Sequence, residues 1–121
     1  MTQITMENLS IKNVTSSIIP SIFDVKAHAP NGLEVLFEYH REMELSYKEG
    51  EEISLKLSSQ KIPPKNASSF CGKAMLYTVK QKEGLLVYLF SAGGLILRIS
   101  SPKRLEGLEI ASEYYFCIDK T

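Results

Sequence analysis

"LLVYLFSAGGLILRIS" runs from Leu85 to Ser100, and its first thirteen residues, Leu85 to Leu97, carry no charge. Two adjacent glycines, Gly93 and Gly94, sit inside this apolar run. A bilayer-spanning helix needs about 20 apolar residues, so the run is too short, and Glu83 and Arg98 flank it. A buried helix is disfavoured too, because each glycine costs about 1 kcal/mol relative to alanine in a helix interior. Two strands folded back on each other remain. Leu85–Ser91 is one strand and Leu95–Ile99 the other, with Gly93-Gly94 supplying the positive φ that a two-residue hairpin turn requires.

Working outward, the dominant period is two. Leu33, Val35, Phe37, Tyr39, Met43, Leu45 and Tyr47 take the odd positions, and Glu34, Glu38, His40, Glu42, Glu44 and Ser46 the even ones. This is strand alternation over fifteen positions, interrupted by Arg41. One long strand bent near His40-Arg41 fits it, as do two strands meeting at a bulge. A turn at 48–51 leads to a second strand in which Ile53, Leu55 and Leu57 alternate with Ser54, Lys56 and Ser58. The stretch "SSQKIPPKNASS" (58–69) reads as a loop, since Pro63-Pro64 cannot join a ladder.

Further strands are expected at Phe70–Val79, with Gly72 as a bulge, and after a turn at Gln81–Gly84. Leu108–Ala111 and Tyr114–Ile118 form a last strand or strand pair, and Leu9–Val14 and Ile18–Ala29 read as extended. No segment has a helical period of ten residues or more. Six to eight strands without a covering helical layer must cover themselves, as a sandwich or a closed barrel. The long bent strand and the glycines at 32, 50, 72 and 84 favour an antiparallel barrel of the oligonucleotide/oligosaccharide-binding (OB-fold) kind. At 121 residues, the chain is expected to be one domain, 1–121.

Fourteen basic residues balance fourteen acidic ones, so no global field draws the chain to nucleic acid or an anionic membrane. Cys71 and Cys117 lie far apart, with no C-x-x-C and no Cys/His cluster, and are read as buried free thiols in a reducing compartment. The N-terminus lacks the basic and apolar regions of a secretion signal. A cytoplasmic location is therefore expected.

Nothing in the chain points to chemistry. His28 and His40 are the only histidines, no serine stands in a G-x-S-x-G turn, and the glutamates at 34, 38, 42 and 44 read as a solvated strand face. No catalytic residue, metal ligand or cofactor is expected. Charge is unevenly placed, however. Residues 34–52 hold seven glutamates, while residues 53–82 hold Lys56, Lys61, Lys65, Lys73, Lys80 and Lys82 and no acid. With exposed aromatics such as Phe70 or Tyr77, these lysines could form a platform for single-stranded nucleic acid. The plainer reading is lysine used to blunt edges and loops.

The order and spacing of several short motifs resemble the eighth common subunit of nuclear RNA polymerases and its archaeal counterpart, the polymerase G subunit. They are Gly72-Lys73, Ser91-Ala92-Gly93-Gly94, Leu95 to Ile99 with Arg98, Leu105-Glu106-Gly107-Leu108-Glu109-Ile110, and Tyr114 to Ile118. The resemblance spans roughly residues 33–120. It departs from the family at Cys71, where an aromatic is usual, and at 58–69, which lacks the long acidic insertion of eukaryotic members and so argues for an archaeal protein.

The resemblance implies an OB-type barrel and a non-catalytic subunit docked on the largest polymerase subunit, with no direct nucleic-acid contact expected and no membrane role. On that reading Gly93 and Gly94 allow close backbone approach, Leu95 and Ile96 offer apolar anchors, and Arg98 meets a partner carboxylate. Arg98 could equally pair with a glutamate of its own chain. A free-standing single-strand binder that uses the six lysines is the alternative.

Overall fold

The computed structural model describes residues 2–121. Eight strands follow in chain order: β1 (Gln3–Ser16), β2 (Ile22–His28), β3 (Glu34–His40), β4 (Glu52–Ser58), β5 (Phe70–Lys82), β6 (Leu85–Ala92), β7 (Leu95–Ser101) and β8 (Glu113–Lys120). They close into a barrel in the order β1-β2-β3-β7-β6-β5-β8-β4, and every neighbouring pair is antiparallel. The all-β barrel is the expected class, at the upper end of the expected strand count.

Closure depends on the two longest strands. Gln3–Ser10 of β1 pairs with β4, and Ser10–Ser16 pairs with β2. In the same way Phe70–Met75 of β5 pairs with β8, and Met75–Lys82 with β6. Each strand therefore turns a corner and changes partner part-way along. The register shifts that permit the bend fall at Met6/Leu9 and Ile11/Asn13 in β1 and at Leu76/Thr78 in β5. Gly72, the expected bulge, lies instead in regular pairing opposite Phe116. A Cβ there would stand 3.1 Å from the Phe116 ring, so the position is small to admit that side chain.

The barrel interior is filled by the inward set of each strand. Leu9, Val35, Phe37, Ile53, Leu55, Leu57, Leu76, Phe90, Ile99 and Ile118 are fully buried. Aromatic rings run through it in sequence: Phe23–Tyr39 (5.3 Å between centroids), Tyr39–Tyr47 (5.2 Å), Tyr47–Phe37 (5.2 Å), Phe37–Phe70 (6.1 Å) and Phe70–Phe116 (5.4 Å).

Three local expectations need correction. The alternation from Leu33 to Tyr47 is not one strand. β3 stops at His40, a 3-10 turn follows at Arg41–Met43, and Glu44 adopts a left-handed conformation (φ 57°). The His40 Nδ1 accepts the Glu42 N–H (3.1 Å) and caps that turn. The turn breaks the two-residue period, so Met43 is 40% exposed although it sits on an odd position. Leu45 and Tyr47 still turn inward, but as a plug outside the ladder. Second, Ile18–Ser21 belongs to the β1–β2 connection, where Ser17 N–H donates to Ile22 O, and only Ile22 onward is strand. Third, Leu108–Ala111 is not strand. Its approach is held by tyrosine hydroxyls: Tyr88 accepts the Leu105 N–H (2.8 Å), and Tyr114 accepts the Glu109 N–H (2.8 Å).

The free-thiol reading is also overturned. Cys71 and Cys117 form a disulfide. They are 46 residues apart in sequence, but β5 and β8 are neighbours in the barrel and the two cysteines stand in register across them. The inference from free thiols to a reducing compartment falls with it. The loop after β4 lies against this bond. Ile62 O is 3.9 Å from Cys117 Sγ, and Ser69 Oγ donates to the carboxylate of Asp119, which is buried.

Candidate functional site

β6 and β7 meet at Gly93 (φ 58°) and Gly94 (φ 92°), both in the left-handed region that a tight hairpin turn requires. Apart from its chain neighbours, no atom of the described residues lies within 4 Å of a Cβ built at either position, so the turn is open on the side where a side chain would point. The glycine pair in the apolar run is thus explained by local backbone geometry. Among the family-matched residues, Leu95 is half-buried and Ile96 is 38% exposed.

The apolar character of β6 has a topological cause. Leu86, Tyr88 and Phe90 point into the barrel, and Tyr88 and Phe90 are buried. Leu85, Val87 and Leu89 occupy the alternate positions and point outward, half-exposed. Cross-strand rows place Leu36 of β3, Arg98 of β7 and Leu89 of β6 side by side on that outer face. Ile96 stands one row toward the turn, opposite Ser91.

Arg98 is paired within its own chain. Its Nη2 donates to Glu34 Oε1 (3.3 Å), and the other oxygen of Glu34 lies 2.9 Å from His28 Nε2. Between the two readings left open for Arg98, the internal pair is present, while the side chain keeps 36% exposure. A second glutamate of the same strand does backbone work. β3–β7 pairing ends at Phe37↔Leu97, and the next N–H, that of Ile96, donates to Glu38 Oε1 (2.8 Å). Glu34 and Glu38 therefore bind structure on the outer face, which the alternation alone does not reveal.

The six lysines do not gather. Lys56 is on the outer side of β4. Lys61 and Lys65 lie in the exposed loop, and Lys73 is in the first half of β5. Lys80 and Lys82 sit at the far end of β5. The rise from Lys73 to Lys80 is about 23 Å at a strand's 3.3 Å per residue. Phe70 is turned inward against Phe37 and Phe116, so it offers no stacking face. Tyr77 is exposed. Of the six lysines, Lys73 meets an aromatic ring, with its Nζ 5.5 Å from the Tyr115 centroid and also 3.8 Å from Glu113 Oε1.

Beside the β6–β7 outer face lies an open groove of about 480 Å³, floored by Leu85, Val87 and Leu89 and bordered by Lys80, Lys82 and Arg98. Among the described residues, no group of three or more His, Cys, Asp or Glu side chains converges to hold a metal. Among the described residues, no helix is long and apolar enough to cross a membrane.

Besides the Asp119 carboxylate, which accepts from Ser69, the buried ionisable side chains include tyrosines of the core. Burial raises the Tyr47 phenol well above its ordinary value, with Tyr39, Asp119 and Glu51 adding to the effect. Its hydroxyl has no hydrogen-bond partner. Burial also raises Tyr39. These are features of the core and offer no exposed acid or base.

Among known protein families, the one described as the G subunit of DNA-directed RNA polymerase matches residues 4–121. No curated protein matches the chain.

Proposed function

The chain belongs to the G-subunit family of DNA-directed RNA polymerase, and from this we propose that it is a non-catalytic subunit that docks on the largest polymerase subunit and supports the assembly. Residues 1–121 act as one domain, in the cytoplasm with the polymerase, and require no cofactor. The single observation that carries the reading is the match over nearly the whole chain. The open turn at Gly93-Gly94 and the exposed side chain of Ile96 support the β6–β7 hairpin as the docking element. Leu95 and the exposed part of Arg98 complete it.

The test exploits the free space at the turn. Asparagine tolerates the left-handed region, so Gly93→Asn keeps the hairpin while adding bulk where the free chain has nothing within 4 Å. Ile96→Asp removes the apolar anchor from an exposed position. Each variant is mixed in full-length form with polymerase reconstituted from its other subunits, and its incorporation is measured. We expect both to fold normally and to join the assembly at least tenfold more weakly. Incorporation equal to that of the unaltered chain would remove the hairpin as the docking element.

The alternative, a free-standing single-strand binder, draws less support. Its lysines are spread over three elements, and Phe70 is not available for stacking.

A further inference from the structure

β6 is the one strand, among the described residues, with three successive outward positions taken by large aliphatic side chains: Leu85, Val87 and Leu89. The outward positions of other strands are mixed or polar: Asp24 and Lys26 in β2, Ser54 and Lys56 in β4, Leu36 between Glu34 and Glu38 in β3, and Ile96 followed by Arg98 in β7, while Met75 and Tyr77 of β5 follow Lys73. A barrel face turned to water has no use for such a stripe, and a row of half-exposed aliphatics on a floor of about 480 Å³ marks a surface that is covered in use.

The border of the groove defines what covers it. Lys80 and Lys82 are exposed, and neither has a carboxylate within ion-pair distance among the described residues. Arg98 is partly exposed but already paired with Glu34, and Glu83 is the one acid among the described residues lining the groove, so the excess of charge comes from Lys80 and Lys82. The chain as a whole is neutral, so this local excess of positive charge is a property of the groove.

The barrel is closed, with no free edge on β6 to which another strand could add. Contact must then be made by side chains, face on. Leu85, Val87 and Leu89 recur every second residue, about 7 Å apart, which is also the spacing of same-side residues in an extended chain.

We infer that the groove over β5 and β6 receives an extended acidic segment of the polymerase, its alternate aliphatic side chains set on Leu85, Val87 and Leu89 and its carboxylates facing Lys80 and Lys82. This rests on the reading of the chain as a docked subunit, and it extends the contact from the hairpin turn along the outer face of β6.

Two variants of the full chain test it. Val87→Glu with Leu89→Glu places charge on the floor. Lys80→Glu with Lys82→Glu reverses the rim at exposed positions and decides the matter should the first pair fail to fold, as judged by its melting transition. Incorporation into reconstituted polymerase is measured for both across a range of salt. We expect each pair to weaken incorporation at least tenfold, and the rim variant, whose charge now repels the acidic segment, to lose the weakening by salt expected of the unaltered chain and to join better as salt rises.

If the unaltered chain joins and both pairs join equally well, the groove is not a contact and this inference fails while the subunit reading stands. If the unaltered chain itself does not join, the subunit reading fails. A concentration-dependent dimer of the free chain that Val87→Glu abolishes would assign the groove to a second copy and overturn the inference.

Discussion

Tyr47 shows how one residue can serve the core at an electrostatic cost. Its ring packs edge-on against both Phe37 and Tyr39, yet its hydroxyl is buried without a partner. An unpaired buried hydroxyl costs about 1–3 kcal/mol. Tyr47→Phe keeps the ring and removes that cost, so we expect stability in chemical denaturation to be unchanged or higher by up to about 1 kcal/mol. A loss larger than that would show that the hydroxyl is bonded. The pH dependence has a definite sign. The folded state raises the phenol's pKa, so it holds its proton more tightly than the unfolded chain does. Stability is full below the ordinary tyrosine value of about 10 and falls as pH rises beyond it toward the folded value. Tyr47→Phe should flatten this alkaline decline, leaving the smaller contribution of Tyr39, and an unchanged slope would refute the assignment.

At the same scale, the residues of the site differ in how far the chain itself announces them. Gly93-Gly94 was legible as a turn because the two-residue hairpin demands positive φ, and both glycines have it. Arg98 was legible only as a choice. Its partner, Glu34, is 64 residues away and reaches it through the β3–β7 pairing. Gly72 was misread, because a glycine in a strand signals either a bulge or a tight neighbour, and Phe116 is distant in sequence.

At the scale of elements, the disulfide ties together two strands that are distant in sequence. The Cys71–Cys117 bond joins β5 to β8 across 46 residues and lies beneath the loop that follows β4. For a loop of that length, chain entropy assigns a disulfide up to about 4 kcal/mol, and measured values are commonly about 2–4 kcal/mol. Both the unaltered chain and the double variant Cys71→Ser, Cys117→Ser should melt in one transition, the variant with a loss of about 2–4 kcal/mol. A midpoint that does not move would mean the bond is absent in solution, and two resolved transitions would contradict a single domain. The elements are legible where alternation is unbroken, in β4, and where a glycine pair divides an uncharged run, in β6 and β7. They were misread where a turn interrupts inward-facing residues, at Leu45–Tyr47, and where tyrosine hydroxyls replace ladder bonds, ahead of β8.

At the scale of the whole molecule, the barrel distributes charge around a neutral total, and this governs what it can bind. Lysines close in sequence diverge because β5 turns a corner, with Lys73 in the part paired with β8 and Lys80 and Lys82 in the part paired with β6. A continuous cationic track along a nucleic-acid backbone is therefore missing, and one lysine of the set, Lys73, already faces Glu113. We expect no measurable binding of the free chain to single-stranded DNA at low salt, read by fluorescence anisotropy. Tight binding with a steep salt slope would instead favour the single-strand reading. The groove by β6 adds a second whole-molecule property, since its floor belongs to one strand and its rim to β5 and β7.

The chain by itself determined the all-β class, the glycine hairpin and the resemblance to a polymerase subunit. All three rest on local period and short-range order, where each residue's neighbours in sequence are its neighbours in space. The tertiary structure decided which strands adjoin, and with that the disulfide, the partner of Arg98, the tight fit at Gly72, the scattering of the lysines and the aliphatic stripe on the outside of β6. These depend on strand pairing and barrel closure between segments tens of residues apart, and no local pattern specifies which distant strand supplies the facing side chain.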